Sequence, residues 1–270
     1  MSIKTIFLLL LFTLTLTANE RVISLSPSIT EIVYALQKGD DLVATSAFSL
    51  YPKEAQNLPV IGGNSAPNLE KIIALSPTLV IGQDFSHATL EKLKRFKIET
   101  LMLKLQTIND IKSSIKTVAK QLHVSSKEII KDIDNAIKNA PKSKKPHRVM
   151  IVYGLHEDLR SGIYIAGNDI FFDDIITLCG NTNAYDANQT NQPVLSYENV
   201  IALNPDRIII LHSDASNSSV DKEKALSAWH SLPTNASKNR LITVVDESYI
   251  HIPSHRVALT IERLCREMNR

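Results

Sequence analysis

Residues 68–84 read NLEKIIALSPTLVIGQD, and residues 196–214 read SYENVIALNPDRIIILHSD. In both stretches a Glu stands seven positions before a Pro, an Ile/Val-Ile-Ala-Leu run lies between the two, and an apolar β-rich run follows. Each copy predicts a helix that leads into a buried strand, so the repeat indicates two lobes of similar build. A cleft between two such lobes is a usual place for a ligand to bind.

Outward from both copies, short apolar runs alternate with segments of helical periodicity. This alternation favours a mainly parallel sheet in each lobe, with helices on both faces. The helix after the first strand is expected to open near Thr30, beyond a Ser26–Ser28 loop. The predicted strands are 21–25, 42–44, 79–81, 101–103, 148–153, 208–211 and 242–245, and further helices are predicted at 90–96, 171–179 and 257–268.

The middle of the chain has a different character. From 107 to 140 there is almost no strand signal and no Gly, and isoleucines recur at helical spacing. We interpret about 125–140 as one long helix that joins the lobes. The fold class is therefore α/β, with two similar lobes, a mainly parallel sheet flanked by helices in each, one backbone helix between them and a ligand cleft. The expected divisions are a signal peptide at 1–18, an N-terminal lobe at 19–122, the connecting helix and linker at 123–144 and a C-terminal lobe at 145–270.

The first 18 residues have the features of a secretory signal peptide. Lys4 supplies the positive start, an apolar run covers 6–16, and Thr17-Ala18 offers a small-residue cleavage site. The apolar run is too short to cross a bilayer comfortably. We expect export with cleavage near Ala18, and a retained membrane anchor is the alternative.

Charge and cysteine content narrow the function classes. The formal net charge of the chain is +2, so no strong basic field attracts nucleic acid. The Lys-rich stretch at 138–145 is interpreted as a solvated helix end and linker. Cys179 and Cys265 are the only cysteines. An even pair in an exported protein predicts a disulfide, with two buried free thiols as the alternative.

Motifs of common enzyme classes are absent from the sequence. The chain contains no GxSxG, no P-loop, no HExxH and no GxGxxG. The absence of a CxxC pair leaves thiol redox catalysis and a zinc site unsupported. We therefore expect a protein that is not an enzyme, and a hydrolase with an unrecognised site is the alternative.

Four stretches carry a family resemblance: RVISLSPSITEIVYAL at the start, YPKEAQNLPVIGG at 51–63, PNLEKIIALSPTLVI at 67–81 and the second copy of the repeat. Together they resemble class III substrate-binding proteins, which serve ABC importers of ferric siderophores, haem and vitamin B12. The resemblance covers essentially all of 21–270 and is nearest to the vitamin B12-binding members. It implies two α/β lobes joined by a backbone helix and a bridge between Cys179 and Cys265.

The resemblance also implies which residues face the ligand. A large flat chelate requires aromatic faces for contact and a few polar donors. For each candidate the alternative is an ordinary core or surface residue. Implied for the first lobe are Ser26, Pro27, Ser28, Phe48, Tyr51, Gly63, Asn64 and Phe85, and for the second Arg160, Tyr164, Tyr249, His251, His255 and Arg256.

Two features bear on the identity of the ligand. Vitamin B12-binding members carry several pocket tryptophans, whereas this chain has only Trp229. Iron chelates, either siderophore or haem, and cobalamin therefore stay equally open. The sequence HIPSH places His251 and His255 four apart, but Pro253 between them argues against a shared helical face. Either His is a candidate axial ligand to a chelated metal, and a solvated or hydrogen-bonded loop His is the alternative.

The two repeated glutamates are candidates for docking. The resemblance implies that Glu70 and Glu198 meet Arg residues of a permease dimer in the inner membrane, one from each lobe. Alternatively, each carboxylate only complements the dipole of its own helix, and both roles are compatible. The expected function is a monomeric periplasmic protein, without a resident cofactor, that delivers a metal chelate to an ABC importer. A periplasmic sensor or accessory protein that works without a transporter is the alternative from another class.

Overall fold

The computed structural model describes residues 20–63, 66–187, 192–213 and 220–270. The predicted signal peptide and the candidate ligand residue Asn64 lie outside these ranges. Among the described residues, no helix has both the length and the apolar character needed to cross a bilayer.

The described part of the chain contains two four-stranded sheets, and all neighbouring strands within each are parallel. The first sheet has the order β2-β1-β5-β6 and the second the order β12-β11-β7-β9, while β3–β4 and β8–β10 form small antiparallel ribbons. The strands are β1 (Val22–Ser24), β2 (Leu42–Ala44), β3 (Gly62–Gly63), β4 (Ala66–Pro67), β5 (Leu79–Gln83), β6 (Glu99–Leu103), β7 (Arg148–Tyr153), β8 (Ile163–Tyr164), β9 (Thr182–Asn183), β10 (Val194–Leu195), β11 (Arg207–His212) and β12 (Ile242–Asp246).

Helices cover the faces of both sheets. Central strands read as continuous apolar runs because both of their faces are buried, as in Ile208–Leu211, which is fully buried. The α-helices are α1 (Pro27–Ala35), α2 (Leu69–Ala74), α3 (His87–Lys94), α4 (Ile108–Gln121), α5 (Lys127–Asn139), α6 (Phe171–Leu178), α7 (Tyr197–Leu203), α8 (Lys222–His230), α9 (Asn235–Lys238) and α10 (Val257–Met268).

The repeated stretches form the same unit twice, as predicted. In the first copy α2 leads into β5, and in the second α7 leads into β11. Each helix has a side-chain N-cap: Asn68 accepts from the Lys71 amide at 2.9 Å, and Ser196 accepts from the Asn199 amide at 3.3 Å. The sequence repeat therefore corresponds to a structural repeat, a capped helix that leads into a strand.

The first helix begins earlier than expected. It starts at Pro27 and not near Thr30, because Ser26 caps it with its side chain, accepting from the Ile29 amide at 3.4 Å. Proline is well suited to the first helical position, where its missing N–H costs nothing. The expected Ser26–Ser28 loop is thus a cap followed by the first turn of α1.

The connecting helix lies where the isoleucine spacing placed it. It is observed as α5, which packs against α10 of the second lobe. Its Ile133 belongs to an apolar core that also includes Ile29 and Ile115 before it and Ile175 and Ile261 after it. The lobes therefore rest on a shared core, which favours a fixed arrangement over a large hinge motion. The divisions at 122/123 and 144/145 remain a prediction.

The predicted disulfide is present. Cys179, directly after α6, is bonded to Cys265 in α10, with their Cα atoms 5.1 Å apart, and both residues are fully buried. The bond ties the last helix of the chain to the middle of the second lobe. The alternative of two free thiols is thereby excluded.

Candidate functional site

A cavity of about 380 Å³ opens between the two lobes. It lies beyond the carboxyl ends of β7 and β11, which is where parallel α/β sheets usually bind ligands. Its lining is mostly apolar, with hydroxyl and imidazole groups and one ion pair. The first lobe contributes Pro27, Glu31, Phe48, Leu50 and Tyr51, and the second contributes Gly154, Leu211, His212, Ser213, Ser248, His251, Ile252 and Arg256.

A second cavity of about 430 Å³ adjoins the first along His251. Its lining includes Tyr153, Phe171 and Phe172. The ring of Phe172 packs edge to face against Tyr153 and at a tilt against Phe171. His251 borders both spaces, so the two cavities are neighbours at the cleft, and the second has an aromatic wall. Such a cleft offers the flat apolar contact that a large planar ligand requires.

The loop after β2 projects apolar side chains at the mouth of the cavity. Phe48 is 73% exposed and Tyr51 is 45% exposed, although both are large and apolar. The base of this loop is anchored by buried hydroxyls: Thr30 Oγ1 lies 2.7 Å from Thr45 Oγ1 and donates to Ser49 Oγ at 3.1 Å. The rim is thus presented to solvent on a fixed support, as a ligand contact surface would be.

Of the predicted Ser26–Ser28 group, only Pro27 lines the cavity. Ser26 and Ser28 are both buried. The hydroxyl of Ser26 caps α1 and accepts a hydrogen bond from Gln83 Nε2 at 2.8 Å. Ser26 therefore holds the start of α1 against the end of β5, and so positions Pro27.

Arg256 lines the cavity, but its guanidinium is already paired. Its Nε donates to Glu31 Oε2 at 2.9 Å, its Nη2 donates to Glu31 Oε1, and Ser254 Oγ donates to Glu31 Oε2 at 2.5 Å. One face of the guanidinium lies 3.9 Å from the ring centroid of Tyr51. Burial raises the pKa of Glu31 above its ordinary value. The hydrogen bonds from Arg256 and the charge of Arg256 act in the opposite direction, but burial has the larger effect. Sequence reasoning proposed Arg256 as a donor to ligand and did not identify Glu31.

The two predicted histidines have different environments. His251 faces both cavities, and its ring stacks on Tyr153 with centroids 5.7 Å apart. His255 lines neither cavity, and its buried Nδ1 has no hydrogen-bond partner. Burial lowers the pKa of each to about 4, with a smaller contribution from His212 for the first and from Arg256 for the second. Both imidazoles are neutral at pH 7, the form that binds a metal.

Burial of His255 predicts a pH dependence of stability. Its pKa falls from an ordinary value near 6.5 to about 4 on folding, so the unfolded chain binds the proton more readily. The stabilisation is complete above pH 6.5 and is lost progressively as pH falls to 4. Between pH 7.5 and 5, the His255→Gln variant should lose less thermal stability than the unsubstituted protein. Equal losses in calorimetric unfolding temperature would contradict this account.

The remaining candidates lie away from the cavity lining. Phe85 and Tyr164 are about half exposed, and Gly63 lies in the β3–β4 ribbon. Arg160 is exposed and forms two hydrogen bonds with Asp158, which raise the pKa of the guanidinium. Tyr249 borders a separate surface pocket, and its ring centroid lies 5.7 Å from the guanidinium carbon of Arg256. A ligand role for these residues stays a prediction.

Several lining residues were missed by sequence reasoning, including His212, Ser213 and Ser248. His212 and Ser213 directly follow the buried run of β11. Their position at the carboxyl end of a parallel strand could have identified them as candidates, because ligands bind at that edge of such sheets. Ser248 stands two residues beyond the end of β12, so the same rule applies to it.

Glu70 and Glu198 are both exposed, in the first turns of α2 and α7. Each of these helices leads into a parallel strand whose carboxyl end faces the cleft, so each helix begins on the cleft side of its sheet. Hydrogen bonds from Ser196 and Tyr197 lower the pKa of Glu198, which keeps it ionised. The topology thus places one exposed carboxylate on the cleft side of each lobe.

A family model described as periplasmic binding protein matches residues 22–247 of the chain. The chain belongs to the periplasmic binding protein family. Among curated members, the vitamin B12-binding protein of Yersinia pestis (strain Pestoides F) is 27% identical over 271 residues, which cover 97% of this chain and 91% of that protein. This family membership agrees with the resemblance seen in the repeat and the N-terminal stretch.

Solved structures of periplasmic binding proteins share the fold. The periplasmic heme-binding protein RhuT from Roseiflexus sp. RS-1, in apo form, is 25% identical with a TM-score of 0.78, covering 93% of this chain and 98% of that one. The periplasmic vitamin B12 binding protein BtuF of Vibrio cholerae is 24% identical with a TM-score of 0.72, covering 92% and 96%. The expected α/β class with two lobes and a cleft is confirmed.

Proposed function

We propose that this chain is a periplasmic substrate-binding protein that captures a metal chelate in the cleft and delivers it to an ABC importer. The observation that carries this proposal is the cavity between the two lobes, with an exposed aromatic rim, on the fold of the periplasmic binding protein family. Relatives named for vitamin B12 and for heme support a chelate as the cargo. The signal-like N-terminus supports export, with cleavage near Ala18.

The ligand is bound and released unchanged. Among the described lining residues, Glu31 has the one carboxylate; Arg256 and Ser254 hold it, so it is poorly placed to act as a general base. The relatives are binding proteins. The shared core and the contacts between lobes support a largely preformed cleft, in which little ordering free energy is lost on binding.

Imidazole nitrogen and the phenol oxygen of Tyr51 are the metal-ligating groups that the described lining offers a chelate. His251 and His212 line the same cavity, and His251 is neutral at pH 7. An iron or cobalt chelate with an exchangeable axial position would be ligated by such a group. Haem, ferric siderophore and cobalamin therefore all remain in the proposed ligand class, with His251 the first candidate for direct ligation.

Titration of the purified mature protein tests the proposal. Cyanocobalamin, hemin, a ferric trihydroxamate and a ferric tris-catecholate are added in turn, and absorption and tryptophan fluorescence are followed. Saturable binding of one molecule per chain, with a Kd of about 1 μM or tighter, is expected for at least one chelate. Failure of all four to bind the folded protein would contradict the proposal.

Aromatic residues of similar exposure allow a matched comparison at the cavity. Tyr51 is 45% exposed and lines the cavity, whereas Phe96 is 55% exposed and does not. Tyr51→Ala should weaken binding of the chelate by about tenfold, since it removes a large contact face and uncovers Arg256. Phe96→Ala should change the Kd by less than about twofold. Equal effects in isothermal titration would place the ligand elsewhere.

A further inference from the structure

The charge of the cleft is set by one pair of residues from opposite lobes. Of the lining residues that the structure describes, Glu31 and Arg256 are the only acidic and basic side chains apart from imidazoles. The stretches 64–65, 188–191 and 214–219, which the structure does not describe, contain no Lys or Arg in the sequence, and their one acidic residue is Asp214. The described lining is therefore close to electroneutral, although it contains an Arg.

The pairing occupies two of the three guanidinium nitrogens of Arg256. Arg256 is 7% exposed and Glu31 is 2% exposed. Two guanidinium nitrogens donate to the two carboxylate oxygens of Glu31, and the ring of Tyr51 lies over one guanidinium face at 3.9 Å. Ser254 adds a third hydrogen bond to the same carboxylate. An anionic ligand that reached the third guanidinium nitrogen, Nη1, would meet a cation whose charge Glu31 already balances.

This arrangement has a consequence for which chelates bind. A highly charged anion that enters an apolar cleft loses hydration, and it regains that free energy only from an opposite charge or from hydrogen bonds. Here the opposite charge is already neutralised by Glu31. A chelate with little net charge incurs no such penalty and gains the aromatic contacts in full.

We infer that Glu31 determines the charge preference of the site: by neutralising Arg256, it makes the cleft select chelates of low net charge over trianionic ones. This inference rests on the proposed function and narrows it. Among iron chelates it favours electroneutral complexes such as ferric trihydroxamates over ferric tris-catecholates, and it is compatible with cobalamin.

The first arm of the test uses the unsubstituted protein. Cyanocobalamin and a ferric trihydroxamate, both electroneutral, are compared with a ferric tris-catecholate of charge −3 by competition and direct titration at constant ionic strength. At least one electroneutral chelate should bind about tenfold more tightly than the tris-catecholate. Equal or tighter binding of the tris-catecholate would overturn the inference but leave the proposed function standing. Absence of binding by all three chelates would overturn the inference, and absence of binding by hemin as well would overturn the proposed function.

The second arm uses two variants that differ in the charge of the cleft. Glu31→Gln removes the negative charge but keeps an oxygen that accepts from Arg256, so the cleft gains one positive charge. The ratio of tris-catecholate to electroneutral affinity should rise by about tenfold in this variant. The double variant Glu31→Gln with Arg256→Gln restores electroneutrality and should return the ratio to that of the unsubstituted protein. Circular dichroism and thermal unfolding verify the fold, and an unchanged ratio in a folded Glu31→Gln protein would overturn the inference.

Discussion

Replacing Glu70 and Glu198 together by Ala is expected to abolish delivery of the chelate while leaving its affinity in solution within about twofold. The two carboxylates are exposed, stand in equivalent first turns and lie on the cleft side of their lobes. A pair of charges held far apart on one face orients the protein over a two-fold symmetric permease and accelerates encounter. Neither residue lines the cavity, so the substitutions should not alter the affinity for the ligand.

The measurement is uptake of the bound chelate by cells that carry the variant as their only copy of the protein. A matched control replaces Glu91 and Glu128, which are also exposed glutamates on helices, and should leave uptake near the unsubstituted level. Loss of ligand binding in the Glu70/Glu198 variant would contradict the docking role. Normal uptake in that variant would favour a sensor or accessory protein over a transport component.

Replacing Cys179 and Cys265 together by Ala should lower the free energy of unfolding by about 4–5 kcal/mol on the chain-entropy account. The bond closes a loop over a sequence separation of 86 residues, and that loop contains most of the second lobe. For a chain of this size, such a loss corresponds to a fall in Tm of about 8–20 °C. Alanine is the suitable substitute, because both positions are fully buried and a serine hydroxyl would lack a partner.

Reduction provides an independent control for the disulfide. The unsubstituted protein in strong reductant should unfold near the temperature of the double Ala variant, and reductant should not affect the variant itself. Chelate affinity below the transition should be preserved, because neither cysteine lines the cavity. A change in Tm of less than about 2 °C would contradict a stabilising role for the bond.

Helices and strands were predicted well where they depend on the pattern of a short stretch of sequence. The strands at 42–44 and 148–153 and the helix at 257–268 agree with the structure to the residue, because continuous apolar runs and helical spacing are properties of short stretches. The start of α1 was misplaced, since the capping role of Ser26 depends on a side-chain hydrogen bond within a Ser-Pro-Ser sequence that also favours a loop.

The fold brings only some of the predicted ligand residues together. Pro27, Phe48, Tyr51, His251 and Arg256 line the cavity, and their contact with ligand stays a prediction. The resemblance also named residues that the structure leaves outside that lining, because equivalent sequence positions do not guarantee that side chains converge. Phe85 and Tyr164 are examples: each is half exposed away from the cavity.

By itself, the sequence determined the duplicated helix-strand unit, the two-lobed α/β class, the family and the cysteine pair, since repeats, periodicity and composition are written along the chain. Only the tertiary structure decided that Arg256 is neutralised by Glu31, a partner 225 positions away in the other lobe. The physical reason is that the character of a charged side chain depends on what is packed around it. Folding brings together residues that are far apart along the chain, and nothing in the local sequence of either residue indicates that the two will be in contact.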